Sequence, residues 1–91
     1  MTHAVSGQFT LTTTASLIYK GDQDGVNVLV HNDESGGGTV MYLGFTSGVL
    51  TTTGFHLSGS ERVPPIRLGP HEEIWGVVAS GTADGSYMAF G

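Results

Sequence analysis

Four histidines are the side chains of this sequence best suited to bind a metal or to transfer protons: His3, His31, His56 and His71. A metal site on a β-strand needs ligands whose spacing brings them to one point, such as two histidines two residues apart beside a glutamate. No two histidines have that spacing. His31 is separated from Glu34 by a predicted turn, and His71 precedes Glu72 in another. The sequence therefore predicts neither a metal site nor a bound cofactor.

Serine and threonine are abundant, and with histidine and aspartate they supply the residue types of a nucleophilic hydrolase. The sequence has no Gly-x-Ser-x-Gly elbow and no predicted helix on which to build one. Three consecutive glycines at 36–38 are not followed by the lysine and the helix that a phosphate-binding loop requires. The sequence therefore predicts no catalytic residues, and we expect that the protein is not an enzyme.

Residues 22–25 read Asp-Gln-Asp-Gly and could suggest a calcium loop. A calcium loop needs a third acidic or amide ligand and a distal glutamate, and this short segment lies between two predicted strands. Asp-Gly instead favours a tight turn, because these residues supply the left-handed backbone conformations that such turns require. We expect the turn to join Ser16–Lys20 and Val26–Asn32 as a β-hairpin.

The charge balance excludes several classes of partner. Lys20, Arg62 and Arg67 are the only cations, and they are outnumbered by eight carboxylates, which gives a net charge of −5. Nucleic-acid binding needs several lysines or arginines to neutralise phosphates, and an anionic membrane surface attracts polybasic segments. We expect neither partner. The chain also contains no cysteine, which is typical of assembly in a reducing cytosol or of stability gained through oligomerisation.

Glycine and proline interrupt the chain every few residues after Lys20, with 15 glycines and 3 prolines in 91 residues. Almost no helix is expected, because the one long uninterrupted stretch, 8–20, is rich in β-branched threonine. Alternating apolar residues, clearest in 26–30, predict short strands instead. Further strands are predicted at 39–45, 72–79 and 86–90, and a short strand or turn at 54–57. Two prolines within 61–68 make that segment an edge strand or an extended arm.

Seven or eight short strands at this spacing predict an all-β fold, a single antiparallel β-sandwich of jelly-roll type with essentially no helix. Residues 1–7 are predicted to form a flexible N-terminal arm, and 8–91 the sandwich domain. A domain of this size buries only roughly 60–65% of the surface of its unfolded chain. Its core is therefore expected to be thin, and help from a partner chain is plausible.

One group of motifs points to a family. The segments that carry it are Leu-Ile-Tyr at 17–19, 21–28, Val-His-Asn at 30–32, Val-Met-Tyr-Leu-Gly at 40–44, Thr-Gly-Phe-His-Leu at 53–57 and 68–77. Their order resembles small virion structural proteins of tailed bacteriophages that infect actinobacteria, over about two thirds of the chain. The resemblance implies a capsid decoration protein that binds and stabilises the outer head surface. Its partner would be the major capsid protein, and its location the virion surface after assembly in the host cytoplasm.

Eight residues are candidates for partner contacts, together with the arm 1–7. Phe45, Val49, Leu50 and Phe55 flank a loop of small residues, and they could offer apolar surface to a neighbour or form a satellite cluster beneath that loop. The other four are Arg62, Pro64, Pro65 and Arg67. This segment could dock on an acidic or apolar partner, or its prolines and charges could prevent aggregation at an exposed edge. A closed homo-oligomer, most simply a trimer, would cover the remaining apolar surface.

Two other classes of function stay open. The first is a carbohydrate- or ligand-binding module on a tail or fibre, in which exposed rings stack on sugars; the alternative is that these rings fill the core. The candidate rings are Tyr19, Tyr42, Phe45, Phe55, Trp75 and Tyr87. The second is a small metal-dependent enzyme of the cupin type, for which the ligand spacing is lacking.

Overall fold

The computed structural model describes residues 4–36 and 38–91 and contains eight β-strands, with no helix in this range. The strands are β1 (Val5–Leu11), β2 (Ser16–Lys20), β3 (Val26–Asn32), β4 (Met41–Gly44), β5 (Phe55–Leu57), β6 (Ile66–Leu68), β7 (Glu73–Val78) and β8 (Ala83–Phe90). The all-β prediction is confirmed. No segment of the described residues forms a helix that is long and apolar enough to cross a membrane.

The strands form two four-stranded antiparallel sheets. The first sheet has the order β1-β8-β3-β6, and the second has the order β2-β7-β4-β5. Most consecutive strands lie in opposite sheets, so the chain winds back and forth across the sandwich. This is the winding of a jelly roll, in which two Greek keys are combined. The predicted antiparallel sandwich of jelly-roll type is confirmed.

A single apolar core lies between the sheets because alternate residues of each strand point inward. β3 shows this clearly: Val26, Val28 and Val30 are buried, and the residues between them are half-buried. The largest completely buried apolar side chains come from both sheets: Leu11, Met41, Leu68 and Ile74.

Glycines and aromatic rings alternate where β1 pairs with β8. Gly7 lies opposite Tyr87, and Phe9 lies opposite Gly85. A Cβ atom added to Gly7 would lie 2.7 Å from Oη of Tyr87, and one added to Gly85 would meet the ring of Phe9. Each ring therefore lies over the glycine of the neighbouring strand and occupies the space that a second side chain would need.

Two tyrosines close the side of the sandwich that β1 and β2 form. The ring centroids of Tyr19, on β2, and Tyr87, on β8, are 5.3 Å apart at an interplanar angle of 50°. Both rings pack against the core. Partial burial raises the pKa of the Tyr19 phenol above its ordinary value, and the Asp22 carboxylate and the Tyr87 phenol add to this effect.

Asn32 is the one fully buried polar side chain of the described residues, and it connects the two sheets. It ends β3, and its Nδ2 donates to the carbonyl oxygens of Thr39 and Leu57, both at 2.9 Å. Its Oδ1 accepts a hydrogen bond from the backbone N–H of Glu34 at 3.0 Å. The Asn32 backbone bonds to the turn at 60–61. One residue of the first sheet thus fixes the entrance to β4 and the end of β5.

The predicted hairpin at Asp24-Gly25 is wrong, although the turn itself is present. Gly25 has a φ of 74°, in the left-handed region, and the Asp24 N–H donates to Oδ1 of Asp22 at 2.9 Å. The strands on either side do not pair with each other: β2 pairs with β7, and β3 pairs with β6 and β8. The turn instead carries the chain from β2, in the second sheet, to β3, in the first sheet. Both strands pair with strands that are distant in the sequence, and not with each other.

The N-terminal boundary also differs from the prediction. β1 begins at Val5 and pairs with β8 without interruption as far as Leu11. The predicted arm 1–7 is therefore wrong for residues 5–7, because β8 supplies a partner for this polar, glycine-containing segment. Residues 1–3 lie outside the described residues. β8 likewise begins at Ala83, three residues before the predicted strand 86–90, because Ala83 and Gly85 are buried opposite β1.

Replacing Asn32 by alanine is expected to destabilise the fold by about 2–3 kcal/mol. The change leaves the buried carbonyl group of Leu57 and the partly buried carbonyl group of Thr39 without the Asn32 donor, and a buried polar group without a partner is costly. Chemical denaturation measures the loss. Asn27→Ala is the matched control, because Asn27 is half-buried and makes one side-chain bond, to the Gly91 carbonyl at 3.2 Å. Equal losses in both variants would contradict the linking role of Asn32.

Gly85→Ala is expected to destabilise the fold by about 1–3 kcal/mol, since overpacking forces neighbours from their positions. The new methyl group would meet the Phe9 ring and the His31 carbonyl oxygen. Gly36→Ala is the control, because nothing lies within 4 Å of the position of its Cβ. Thermal denaturation compares the two variants. A Gly85→Ala protein as stable as the control would show that the ring does not need this glycine.

Candidate binding groove at the open side of the sandwich

The side of the sandwich opposite the tyrosine pair is open. Its edges are β5 and β6, and each has three residues. Strands this short leave part of the inner faces uncovered, and a groove of about 330 Å³ lies between the sheets. The residues that line it are almost entirely apolar: Leu43, Gly44, Phe45, Phe55, Val63, Pro64, Pro65, Ile66 and Ile74.

Phe55 shows most clearly that the groove is unfilled. It lies opposite Leu43 in the pairing of β5 with β4 and two residues before Leu57, so its side chain is on the inner face of the sheet. Leu57 is 2% exposed, as an inner residue should be, but Phe55 is 63% exposed. Leu57 belongs to the core cluster, whereas Phe55, at the other end of the same strand, does not. The Phe55 ring thus points toward the inside of the sandwich but remains largely exposed to solvent.

The remaining walls come from Phe45 on one side and from the segment 63–65 on the other. Phe45 follows β4 and is 62% exposed. Pro64 and Pro65 are exposed on the opposite side and have no N–H to donate. Val63 holds this wall in place, because its N–H donates to the Val30 carbonyl at 3.0 Å. The groove therefore presents apolar surface with few polar groups, and it suits an apolar side chain or segment better than a polar ligand.

Val49 and Leu50 do not belong to the groove. Val49 is 7% exposed and packs over Gly44, where an added Cβ would lie 2.7 Å from a Val49 methyl. It is buried outside the main core cluster, as is Val77. Val49 is therefore buried against Gly44 and offers little apolar surface to a neighbour. Leu50 is 57% exposed and lines a separate depression together with Val77 and Ala79.

The two arginines also lie away from the groove. Arg62 forms a backbone bridge with His31 and lines a shallow depression on the outer face of the first sheet, beside Met88. Arg67 pairs with Asn27, and its Nη2 donates to the carbonyl of Asp24 at 3.3 Å. Four of the eight candidate residues therefore meet in one groove: Phe45, Phe55, Pro64 and Pro65.

Sequence reasoning missed the inner lining of the groove. Leu43, Ile66 and Ile74 occupy alternating apolar positions that are typical of core residues in any strand. Leu43 and Ile74 are buried at the floor of the groove, and Ile66 is half-buried. The one available signal was the pair of prolines after Val63, which favours a short edge strand at that point.

A serine, a histidine and an aspartate come together at one end of the first sheet, but not as a catalytic triad. Nδ1 of His31 lies 2.6 Å from Oδ1 of Asp33, and the Ser86 hydroxyl donates to the same oxygen at 2.9 Å. A triad requires the hydroxyl to bond to the imidazole, which removes its proton. Here both groups bond to the carboxylate, so the histidine does not activate the serine. Among the described residues, no three histidine, aspartate or glutamate side chains are grouped to hold a metal ion.

Aromatic side chains also occur on the outer face of the second sheet. Trp75 is half-buried, and its Nε1 donates to Oε1 of Glu73 at 2.8 Å. On the same face, Tyr42 and His56 make an edge-to-face contact with ring centroids 4.7 Å apart. Tyr19 and Tyr87 instead pack against the core. The rings proposed for sugar stacking are thus divided among the core, the groove and this outer face.

The fold is similar to one that is already known from a bacterial filament. A solved structure of Bacillus endospore appendages, described as disulfide-linked pili, superposes with a TM-score of 0.60 and 18% identity. The match covers 99% of this chain and 85% of that chain. At this identity the likeness shows a shared fold alone. No protein-family model matches this chain, and no curated protein sequence matches it.

Phe55→Ser is expected to reduce the binding of the fluorescent dye anilinonaphthalene sulfonate to the native protein by about half or more. The reason is that the substitution removes a principal apolar wall of the groove. Stability should change by less than about 1 kcal/mol, since the ring is largely exposed. Met88→Ser removes a side chain that is 54% exposed on another face and serves as the control. Equal dye binding by wild type and Phe55→Ser would show that the groove is not the accessible apolar site.

Proposed function

We propose that this chain is a virion structural protein of a bacteriophage, a capsid decoration protein that binds the outer surface of the head. The observation that carries the proposal is the apolar groove, in which Phe45 and Phe55 are more than 60% exposed although Phe55 faces inward. An exposed apolar surface of this kind marks an interaction site. An apolar segment of the major capsid protein would fill it. The protein would thus act by binding and without catalysis.

The fold and the motif resemblance support this proposal. Jelly rolls are widely used in viral capsids, although they also occur in lectins and cupins. The similar solved structure belongs to endospore appendages described as pili, which supports a structural role for this fold. Those pili are described as disulfide-linked, whereas this chain has no cysteine. Assembly of this chain would therefore not use disulfides between its residues.

The proposed mechanism is multivalent binding to a repeating lattice. A groove of this size accommodates one or two large apolar side chains, which is a modest contact for a single copy. Linking several copies into a closed oligomer makes later contacts effectively intramolecular and increases the overall affinity by orders of magnitude. The decoration layer would then stabilise the shell after assembly in the host cytoplasm.

A second candidate is a carbohydrate-binding module on a tail or fibre. The observation that favours it is that Trp75 and the Tyr42–His56 pair share the outer face of the second sheet. Sugar rings stack on flat aromatic faces with polar neighbours. Titration with simple sugars would then shift the fluorescence of Trp75, the single tryptophan of the chain. An unchanged spectrum at saturating sugar would exclude this face as the binding site for the sugars tested.

The number of copies in each purified virion tests the proposed location. Quantitative mass spectrometry against the major shell protein should give hundreds of copies, since a decoration protein follows the head lattice. A handful of copies in multiples of three or six would place the protein in the tail or a fibre and favour the second candidate. Its absence from the particle would overturn the proposed structural role.

The groove is tested by adding purified protein to shells that lack it. Wild-type protein and Met88→Ser are expected to bind alike, whereas Phe55→Ser should bind at least about tenfold more weakly, because loss of a buried phenylalanine removes roughly 1.5–3 kcal/mol of contact. Cosedimentation measures the bound fraction. Full binding by Phe55→Ser would remove the groove from the shell-binding surface.

A further inference from the structure

The four edge strands of the sandwich differ in how far they resist pairing with another chain. An exposed edge is normally protected by shortness, proline, charge or a bulge. β5 and β6 have three residues each, and β6 follows Pro64-Pro65 and contains Arg67. β2 has a shift of register between Leu17 and Tyr19 and ends in Lys20. Three of the four edges are therefore protected.

β1 has none of these protections. Its seven residues, Val-Ser-Gly-Gln-Phe-Thr-Leu, include no proline and no charge. Its pairing with β8 is regular from Val5 to Leu11, so the strand has no bulge. Within residues 4–36 and 38–91, no strand pairs with its other edge, and no backbone hydrogen bond of a turn or loop reaches it. In a chain whose other edges are blocked, this edge is suited to accept a strand.

We propose that β1 pairs with β1 of a second copy of this chain, antiparallel and centred on Gln8. This register places Val5 opposite Leu11 of the second copy, Ser6 opposite Thr10, Gly7 opposite Phe9, and Gln8 opposite itself. Apolar residues then meet on the inner face and polar residues on the outer face, as the pleat requires. The small Gly7 stands beside the large Phe9, which is the combination that β1 already makes with β8. The two first sheets would become one sheet of eight strands.

The charge distribution favours an antiparallel second copy. Both copies carry a net charge of −5, so pairing must keep their carboxylates apart. Asp33, Glu34 and Asp84 lie together near Thr10, and the Thr10 hydroxyl donates to Asp84 at 2.7 Å. In the proposed register the two Thr10 residues are four positions apart, about 14 Å along the strand. That separation exceeds the Debye length of about 8 Å at physiological salt.

The proposed pair has two-fold symmetry and differs from the trimer that the sequence suggested. It uses the β1 edge, whereas the proposed capsid contact uses the groove on the opposite side of the sandwich. The proposed pairing and the proposed capsid contact can therefore be refuted independently of each other. A protein that pairs in solution but is absent from virions would retain this inference and lose the proposed function.

Disulfide cross-linking tests the register, because the chain has no native cysteine. Residues directly opposite each other in an antiparallel pair have Cα atoms about 4.5–5.5 Å apart, within the range for a disulfide. Gln8→Cys should give a covalent dimer under mild oxidation at dilute protein. Gln23→Cys, in an exposed turn, is the control and should remain monomeric. Equal cross-linking of the two variants, or none in Gln8→Cys, would overturn the proposed register.

A charge exchange tests the pairing without a covalent bond. Sedimentation should show a dimer for the wild type and for the control Gln23→Lys. Gln8→Lys places two lysines directly opposite each other and should weaken the dimer about fivefold, as should Gln8→Glu. Mixing these two variants should restore it, because lysine then faces glutamate. A wild type that is monomeric at every concentration, or a mixture no better than its components, would refute the pairing.

Discussion

The hydrogen bonds of Asn32 tie the end of β3, in the first sheet, to the second sheet across a core of apolar side chains. Apolar packing is non-directional and would tolerate a sliding of one sheet over the other. The Asn32 amide is specific, because its donors reach two carbonyl groups on the other side of the sandwich at 2.9 Å. The end of β3 is thereby tied to β5, and the position of β5 determines where Phe55 lies. The geometry of the groove thus depends on a polar contact buried some distance from it.

The two long sides of the sandwich differ in how the gap between the sheets is covered. On one side, the rings of Tyr19 and Tyr87 span the gap between the sheets, and a long edge strand lies beside them. On the other side, the edge strands are too short to cover the inner faces, and Phe55 remains exposed. A thin domain with a small core has few large side chains to distribute. Concentrating them at one side leaves the other available to a partner.

The sequence predicted those features that depend on local pattern. The alternation in β3 predicted the fold class, and the prolines before β6 predicted an edge strand or arm. Phe45 and Phe55 were recognised as candidates for partner contact. It could not separate Val49, which packs over a glycine, from the exposed Leu50, because both are apolar residues in the same loop. Asn32 begins a polar run that is typical of a loop. Its burial is set by strands distant in the sequence, and so are the partners of β1 and β2.

The position of β8 has a consequence for how the protein is made. β8 lies between β1 and β3, so residues 83–90 complete the interior of a sheet whose other strands are made earlier, from residues 5–68. Until β8 has been synthesised, β1 lacks the strand with which it pairs, and one edge of β3 is unpaired. The first sheet can therefore form only after β8 has left the ribosome, and it depends on contacts of long sequence separation that form slowly. A ribosome stalled before residue 83 would hold a chain in which this sheet cannot be completed.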